Sequence, residues 1–167
     1  MKKILVLLMF LIFGNELLFS QKKIWDETKE EKKERMQWWT DARFGMFIHW
    51  GLYAQPARHE WVKSAERMTN EDYQKYFDVF NPDLYDPYDW AKQAKKSGMK
   101  YAVITAKHHE GFNLFDSKFT DYKSTNTPYG KDILREWVEA FRSEGLKIGF
   151  YYSLFDWHHP HYTADPK

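Results

Sequence analysis

The chain has 167 residues, 29% of them charged, with a formal net charge of +1 and no cysteine. A nearly neutral chain has no strongly basic surface for nucleic acid or an anionic membrane, so we expect neither as a partner. The absence of cysteine excludes disulfides, so stability has to come from packing.

The first twenty residues have the pattern of a secretory signal peptide. Lys2 and Lys3 precede an apolar stretch over residues 4–13, and polar residues follow at positions 20 and 21. The stretch is short for a bilayer span, so we expect export to the periplasm or the outside of the cell and no stable membrane anchor. A membrane anchor is the alternative, because residues 18–20 do not form a small-x-small cleavage site.

A charged N-terminal arm follows over residues 21–37. Its dense run of charges between Lys22 and Arg35 is typical of a solvated helix or a mobile arm. From Trp38 to the last residue the composition is that of a globular domain, without internal repeats. We therefore predict one domain, or a portion of one, over residues 38–167.

Three helices are predicted in this domain. Thr69 and Asp72 resemble a capping box ahead of a helix that stops near Pro82. A second helix begins at Asp86, followed by proline at the first helical position, and ends at Gly98. The third runs over residues 132–144 with apolar residues on one face.

Three apolar strands, predicted at about 43–49, 100–106 and 146–152, alternate with these helices. The alternation predicts an α/β fold with parallel strands joined by crossover helices. A doubly wound nucleotide-binding sheet is the main alternative, but the residues after the first strand, His49, Trp50 and Gly51, do not form a glycine-rich turn into a helix. We therefore favour a (β/α)8 TIM barrel with its site at the carboxyl ends of the strands.

A histidine or a tyrosine occurs at the end of each predicted strand. His49 follows the first strand, His108 and His109 follow the second, and Tyr151 lies at the end of the third. Each of these side chains can both donate and accept hydrogen bonds, which suits adjacent sugar hydroxyls. One such histidine alone is more often structural, but three at successive strand ends indicate a site.

Glu60 and Trp61 lie in the loop after the first strand. A carboxyl beside an indole is a candidate general acid, because an apolar neighbour raises its pKa. A surface salt bridge is the alternative. Aromatic residues make up 19% of the chain, and ring faces bind the apolar C–H patches of sugars, although an ordinary aromatic core explains any one of them equally well.

Other polar residues carry weaker signals. Loop or capping roles suit three aspartates as well as chemistry does, namely Asp116, Asp121 and Asp156. A metal site is a weak hypothesis for three histidines near the end of the chain, because no helix is predicted there to fix the ligands: His158, His159 and His161. We expect no metal and no cofactor.

Five segments resemble the amino-terminal part of the α-L-fucosidases, the family 29 glycoside hydrolases. They are RFGMFIHWGLY, the EW pair at residues 60 and 61, AKHHEGF, TDY before TP, and GFYYSLFDWHHP. The resemblance covers residues 38–162, and the order FIHWG, KHH and YYS…DW is highly specific.

The resemblance implies a (β/α)8 barrel, of which this chain holds about the first three β/α units. It also implies an exo-acting enzyme that hydrolyses terminal α-L-fucose from fucosylated glycans with retention of configuration. By matching motifs, His49, His108 and His109 bind fucose hydroxyls and Tyr151 faces the sugar. Glu60 and Trp61 line the same pocket, with Glu60 as an acid/base candidate, whereas Tyr152 packs outward.

The family nucleophile is an aspartate in a later strand motif, which these 167 residues do not contain. Asp156 matches the acidic residue of the DW segment and not the nucleophile. A retaining mechanism needs two carboxyl groups about 5 Å apart. We therefore expect this chain alone to be inactive, and a non-catalytic fucose-binding or interaction module is the alternative function. Its oligomeric state is open.

Overall fold

The structure, a computed structural model, describes residues 26–162. The predicted signal peptide lies outside this range. Over residues 26–162, no helix has the length and apolar character needed to cross a membrane. The chain divides into two compact units, residues 1–41 and residues 42–167.

In the described part of the first unit lies helix α1, Lys29–Ala42, whose last residue belongs to the second unit. Thr28 and Glu31 form a reciprocal cap, in which the Thr28 backbone N–H donates to the Glu31 carboxylate at 2.8 Å and the Glu31 N–H donates to the Thr28 hydroxyl at 3.2 Å. No residue of α1 is buried. The part of the charged run from Lys29 to Arg35 is therefore an exposed helix, and residues 22–25 of the run lie outside the described residues.

The second unit is built on a three-stranded parallel sheet. Its strands are β1, Gly45–Ile48, β2, Tyr101–Lys107, and β3, Lys147–Tyr152, hydrogen-bonded in the order β1-β2-β3. Phe47 pairs with Val103, which in turn pairs with Gly149. The predicted parallel α/β sheet is confirmed. Sequential order is common to a barrel and to half of a doubly wound sheet, so these strands by themselves do not distinguish the two.

The predicted helices are present in the second unit. Helix α3, Asn70–Asp78, has the complete Thr69–Asp72 capping box, and α4, Pro87–Lys96, has Asp86 as its cap. Helix α5, Ile133–Ser143, begins after Asp132, whose side chain accepts the Arg135 N–H. The sequence did not predict the short helix α2, Val62–Ala65, or the 3-10 turns Leu52–Ala54 and Ser124–Asn126.

Helices α4 and α5 pack against each other, and α5 also packs on β3. Trp137 of α5 is fully buried and stacks on Phe141 with ring centroids 4.5 Å apart. Burying such a ring is worth about 3 to 5 kcal/mol relative to alanine. The buried face of α5 and the buried strand β2 therefore fix the sheet, and with it the positions of the strand ends.

Candidate functional site

Four of the predicted site residues converge at the carboxyl ends of the strands. The rings of His49 and His108 have centroids 4.7 Å apart, and His108 lies 4.3 Å from His109. The Tyr151 ring lies 5.7 Å from His108 and 6.2 Å from His49. Because the three parallel strands end at one edge of the sheet, residues more than forty positions apart form a single polar aromatic cluster.

His108 is the buried member of this cluster, with 3% of its surface exposed. Burial, reinforced by the neighbouring His109 and His49, lowers the pKa of His108 to about 4. Its imidazole is therefore neutral at physiological pH. The Nδ1 atom is buried and has no hydrogen-bond partner within the described residues, so one polar atom of the site is left to be satisfied by a bound group or water.

His109 is held by a hydrogen bond between its Nδ1 and the Ser153 hydroxyl oxygen at 2.6 Å. The Ser153 hydroxyl donates its one proton to the Phe155 carbonyl at 2.9 Å. The Nδ1–H of His109 must therefore donate, which leaves Nε2 as an acceptor. Burial also lowers the pKa of His109, and the neutral ring keeps this acceptor at physiological pH.

Two tryptophans flank His109. The centroids of Trp61 and Trp157 each lie 5.3 Å from the His109 ring, and the two indoles meet edge to face at 5.5 Å. The Trp157 backbone N–H donates to the His109 carbonyl at 2.7 Å. Trp61, 48% exposed, therefore lies beside the histidine cluster and presents ring surface to solvent.

Glu60 also lies near the histidines, but its electrostatics differ from the sequence prediction. A hydrogen bond to its own backbone is the largest influence and lowers the pKa of Glu60, partly opposed by burial. The predicted rise beside Trp61 is therefore wrong, because Glu60 is only partly buried and the indole is exposed. Glu60 and His49 line a shallow cavity of about 270 Å³ together with Tyr53.

Tyr53, which the sequence prediction missed, packs among the histidine rings. It is 4% exposed and lies 5.7 Å from His49 and 5.2 Å from His108, centroid to centroid. Its hydroxyl is 3.4 Å from the Thr105 hydroxyl. Its place in the 3-10 turn after β1 was not visible as a periodic pattern.

Glu110 is a second residue that the sequence prediction missed. It directly follows His109, is 1% exposed, and accepts hydrogen bonds from the Leu52 N–H at 3.0 Å and from the Tyr73 hydroxyl. Burial raises the pKa of Glu110 to about 7. The sequence shows a carboxyl directly after a histidine pair, but it does not show the distant residues that bury this carboxyl and bond to it.

The remaining acidic candidates have loop roles. Asp116 pairs with Lys123 at 2.8 Å, and Asp121 accepts hydrogen bonds from the Asn126 amide. Asp156 forms an ion pair with Lys107 at 3.0 Å. These contacts explain the three aspartates as structural residues, without a catalytic or binding role.

Tyr152 and the terminal histidines lie outside the cluster. The Lys107 ammonium is over the Tyr152 ring at 5.1 Å, so this tyrosine faces away from Tyr151, as predicted. His158 stacks on Tyr122 at 3.9 Å. No group of three or more histidine, cysteine or acidic residues in the part of the chain described here could hold a metal ion. A larger cavity of about 600 Å³ is lined by Lys107, Asp156 and His158, and none of the six residues predicted to bind the sugar lines it.

The cluster can bind a small polyol through several hydrogen bonds at once. Neutral imidazoles on His108 and His109 and the phenol of Tyr151 supply donors and acceptors, and the Glu60 carboxylate supplies an acceptor. Trp61 and Trp157 supply apolar ring surface beside them. This combination of convergent polar groups and aromatic faces is typical of a carbohydrate site.

Comparison with known proteins gives one family. The family model described as Alpha-L-fucosidase matches residues 13–167. An alpha-L-fucosidase of Dictyostelium discoideum is 34% identical over 190 aligned residues, covering 99% of this chain and 40% of that protein. The plasma alpha-L-fucosidase of Homo sapiens is 34% identical, covering 77% of this chain and 31% of its own length. The chain thus spans less than half the length of these relatives.

Solved structures agree with this comparison. Alpha-L-fucosidase isoenzyme 1 from Paenibacillus thiaminolyticus superposes with a TM-score of 0.77 at 66% identity, covering 78% of this chain and 31% of that one. A GH29 alpha-L-fucosidase from Bacteroides thetaiotaomicron gives 0.74 at 46% identity, covering 79% and 32%. Both similarities thus cover most of this chain and about a third of the solved one.

Proposed function

Because the chain belongs to the alpha-L-fucosidase family, we propose that the protein is an exo-acting α-L-fucosidase that hydrolyses terminal α-L-fucose from glycans. The observation that carries this proposal is the convergence of His49, His108, His109 and Tyr151 at the ends of three parallel strands. A fucosylated glycan is accordingly the proposed substrate.

Each residue of the cluster has a proposed role in holding the sugar. His109 accepts a hydrogen bond from a sugar hydroxyl at Nε2, and His108 hydrogen-bonds the sugar through its neutral imidazole. Tyr151 hydrogen-bonds the sugar from the third strand, and Trp61 covers an apolar patch of the ring. The ionised Glu60 accepts from a further hydroxyl. It can act as the acid of an acid/base pair only if bound substrate desolvates it and raises its pKa.

We propose a retaining mechanism through a covalent glycosyl-enzyme. A related structure from Bacteroides thetaiotaomicron is a trapped covalent intermediate with 2-fluoro-fucosyl fluoride, which supports this choice by analogy. Retention needs two carboxyl groups about 5 Å apart. Glu60 is the carboxylate whose charge acts on His108 and His109. We propose that the second carboxyl, the nucleophile, comes from a segment outside these 167 residues and that the chain alone is inactive.

The wider architecture and the location of the enzyme are part of the same proposal. The three strands are proposed to be the first of a (β/α)8 barrel whose later strands complete the pocket. The apolar pattern of residues 4–13 supports export to the periplasm or the outside of the cell.

The proposal is tested with the full-length protein that carries this chain. We expect hydrolysis of 4-nitrophenyl α-L-fucoside, with the α-anomer of fucose appearing first in proton NMR spectra. The β-L-fucoside and the α-L-rhamnoside serve as matched controls and should react far more slowly. Absence of hydrolysis of the α-L-fucoside refutes the proposed activity, and first appearance of the β-anomer refutes retention.

A fucose-binding module without catalysis is the second candidate. It is favoured by one observation, namely that His49, His108, His109 and Tyr151 meet within residues 26–162. Calorimetric titration of the 167-residue chain with L-fucose tests it. Binding with no turnover supports this candidate, whereas no heat at millimolar sugar removes it.

A further inference from the structure

Glu110 is a buried carboxyl that the proposed mechanism does not use. Its Oε1 accepts the Leu52 backbone N–H at 3.0 Å, and its Oε2 accepts the Tyr73 hydroxyl. One side chain after β2 is thus joined to the turn after β1 and to helix α3.

The turn after β1 has a second attachment to β2. The Trp50 N–H donates to the Thr105 hydroxyl oxygen at 2.8 Å, and the Thr105 hydroxyl donates to the Trp50 carbonyl at 2.5 Å. Thr105 precedes the histidine pair and Glu110 follows it. Residues 50–53 are therefore fastened on both sides of the pair, to β2 through Thr105 and to the loop after β2 through Glu110.

Gly51 shows how closely the turn approaches Glu110. A Cβ atom at this position would collide with the Glu110 Oε1 and with the Tyr53 ring. The Gly51 φ of -177° is extended backbone that any residue can adopt. Glycine is thus required here by the space that the carboxyl occupies and not by the backbone conformation.

We propose that Glu110 is a positioning residue that holds the turn over residues 50–53 against the histidine pair, so that His49 and His108 face one sugar together. This inference deepens the proposed function and rests on it. Glu110 is 1% exposed and its two oxygens are occupied by donors. It therefore acts through the turn and does not touch the substrate.

The surroundings of Glu110 determine which substitution preserves the connection. The titratable groups that face it are Lys63 of α2, Tyr73 of α3 and the nearby Tyr53 and Tyr122. Glutamine has the same shape and keeps one oxygen that accepts the backbone N–H of the turn. Its amide group donates to the Tyr73 hydroxyl, which rotates to accept. Alanine removes every one of these connections.

The test compares variants of the full-length protein. Glu110→Ala and Gly51→Ala displace the turn, Glu110→Gln preserves it, and Ile133→Ala is a control that weakens the core at the first residue of α5, outside the turn and its hydrogen bonds to Glu110. We expect kcat for the α-L-fucoside to fall about 100-fold in Glu110→Ala, because a displacement of about 1 Å costs that much. Glu110→Gln should stay within about tenfold of the parent, and Ile133→Ala within about threefold.

A second measurement does not depend on activity. The ring nitrogen signals of His49 and His108 in ¹⁵N-histidine NMR spectra should shift in Glu110→Ala and Gly51→Ala and stay unchanged in Glu110→Gln and Ile133→Ala. If the parent protein hydrolyses no α-L-fucoside, the proposed function fails and these signals alone decide the inference.

Two outcomes overturn the positioning role. One is a Glu110→Ala protein with parental kcat and unchanged histidine signals. The other applies if Glu110→Ala does not fold. Tyr73→Phe then takes its place, because it removes one donor to Glu110 and keeps the shape of the side chain. Parental kinetics and histidine signals in both Tyr73→Phe and Gly51→Ala would then overturn it, and shifted signals with lowered kcat in either would support it.

Discussion

The ion pair between Lys107 and Asp156 carries the most direct stability prediction. Its Nζ and Oδ2 atoms are 3.0 Å apart, with 8% of the lysine side chain and 30% of the aspartate side chain exposed. Asp156 also accepts the backbone N–H groups of His158 and His159 through Oδ1, each at 3.1 Å. Asp156→Asn keeps an oxygen for those two donors and removes the charge.

The expected cost follows from the burial of the pair. Removing one partner of a fully buried ion pair costs about 3 to 5 kcal/mol, whereas an exposed pair contributes about 0 to 1 kcal/mol. Lys107 is nearly buried, but solvent reaches Asp156 and screens the pair, and the lysine keeps the Tyr152 ring at 5.1 Å as a partial partner. We therefore expect a loss of about 2 kcal/mol in the free energy of unfolding.

Urea unfolding of the full-length protein measures this loss. The double variant Lys107→Met/Asp156→Asn should recover more than half of it, because the buried cation that lost its partner is removed as well. An Asp156→Asn protein within about 0.5 kcal/mol of the parent, the range of ordinary surface substitutions, would refute the reasoning.

The other predictions concern the histidine cluster and Glu110. His108→Ala and His109→Ala should each lower kcat/KM about 100- to 1000-fold, as for other preorganised groups, and near-parental kinetics would assign both a structural role. Ser153→Ala removes the partner of His109 Nδ1 and should lower kcat/KM by about threefold to tenfold, the worth of one hydrogen bond. Since the pKa of Glu110 is raised to about 7 in the fold, the unfolded chain loses this proton first, so the carboxyl reduces stability as pH rises from about 4.5 towards 7. Glu110→Gln should flatten this fall in unfolding titrations, and an unchanged slope would contradict it. The opposite sign holds for His108, whose pKa is lowered to about 4: it reduces stability as pH falls from about 6.5 towards 4, and His108→Ala should remove this loss.

Local signals made most of the secondary structure predictable. The Thr69–Asp72 box and the Asp86 cap with its following proline act within one helical turn, so their effect is visible in a few adjacent residues. The strands were found within about two residues of their observed bounds, because apolar runs between helices leave few other assignments. Helix α2 was missed, since four residues are too few for a periodic pattern.

The convergence of the site was predictable for a topological reason. Parallel strands end at the same edge of a sheet. Residues that directly follow β1 and β2 and residues at the end of β3 must therefore lie near one another. His49, His108 and Tyr151 meet this condition. The prediction needed only the strand ends and the direction of pairing.

Contacts that depend on packing could not be predicted in this way. The pKa of Glu60 was expected to rise because an indole is its neighbour in sequence, but in the fold a hydrogen bond to its own backbone, more than any other influence, lowers it. Glu110 shows the converse. Its partners Leu52 and Tyr73 lie 58 and 37 positions away, and only the folded chain brings them to one buried carboxyl. The residue type identifies which groups can ionise, whereas their surroundings in the folded chain decide in which direction each pKa moves.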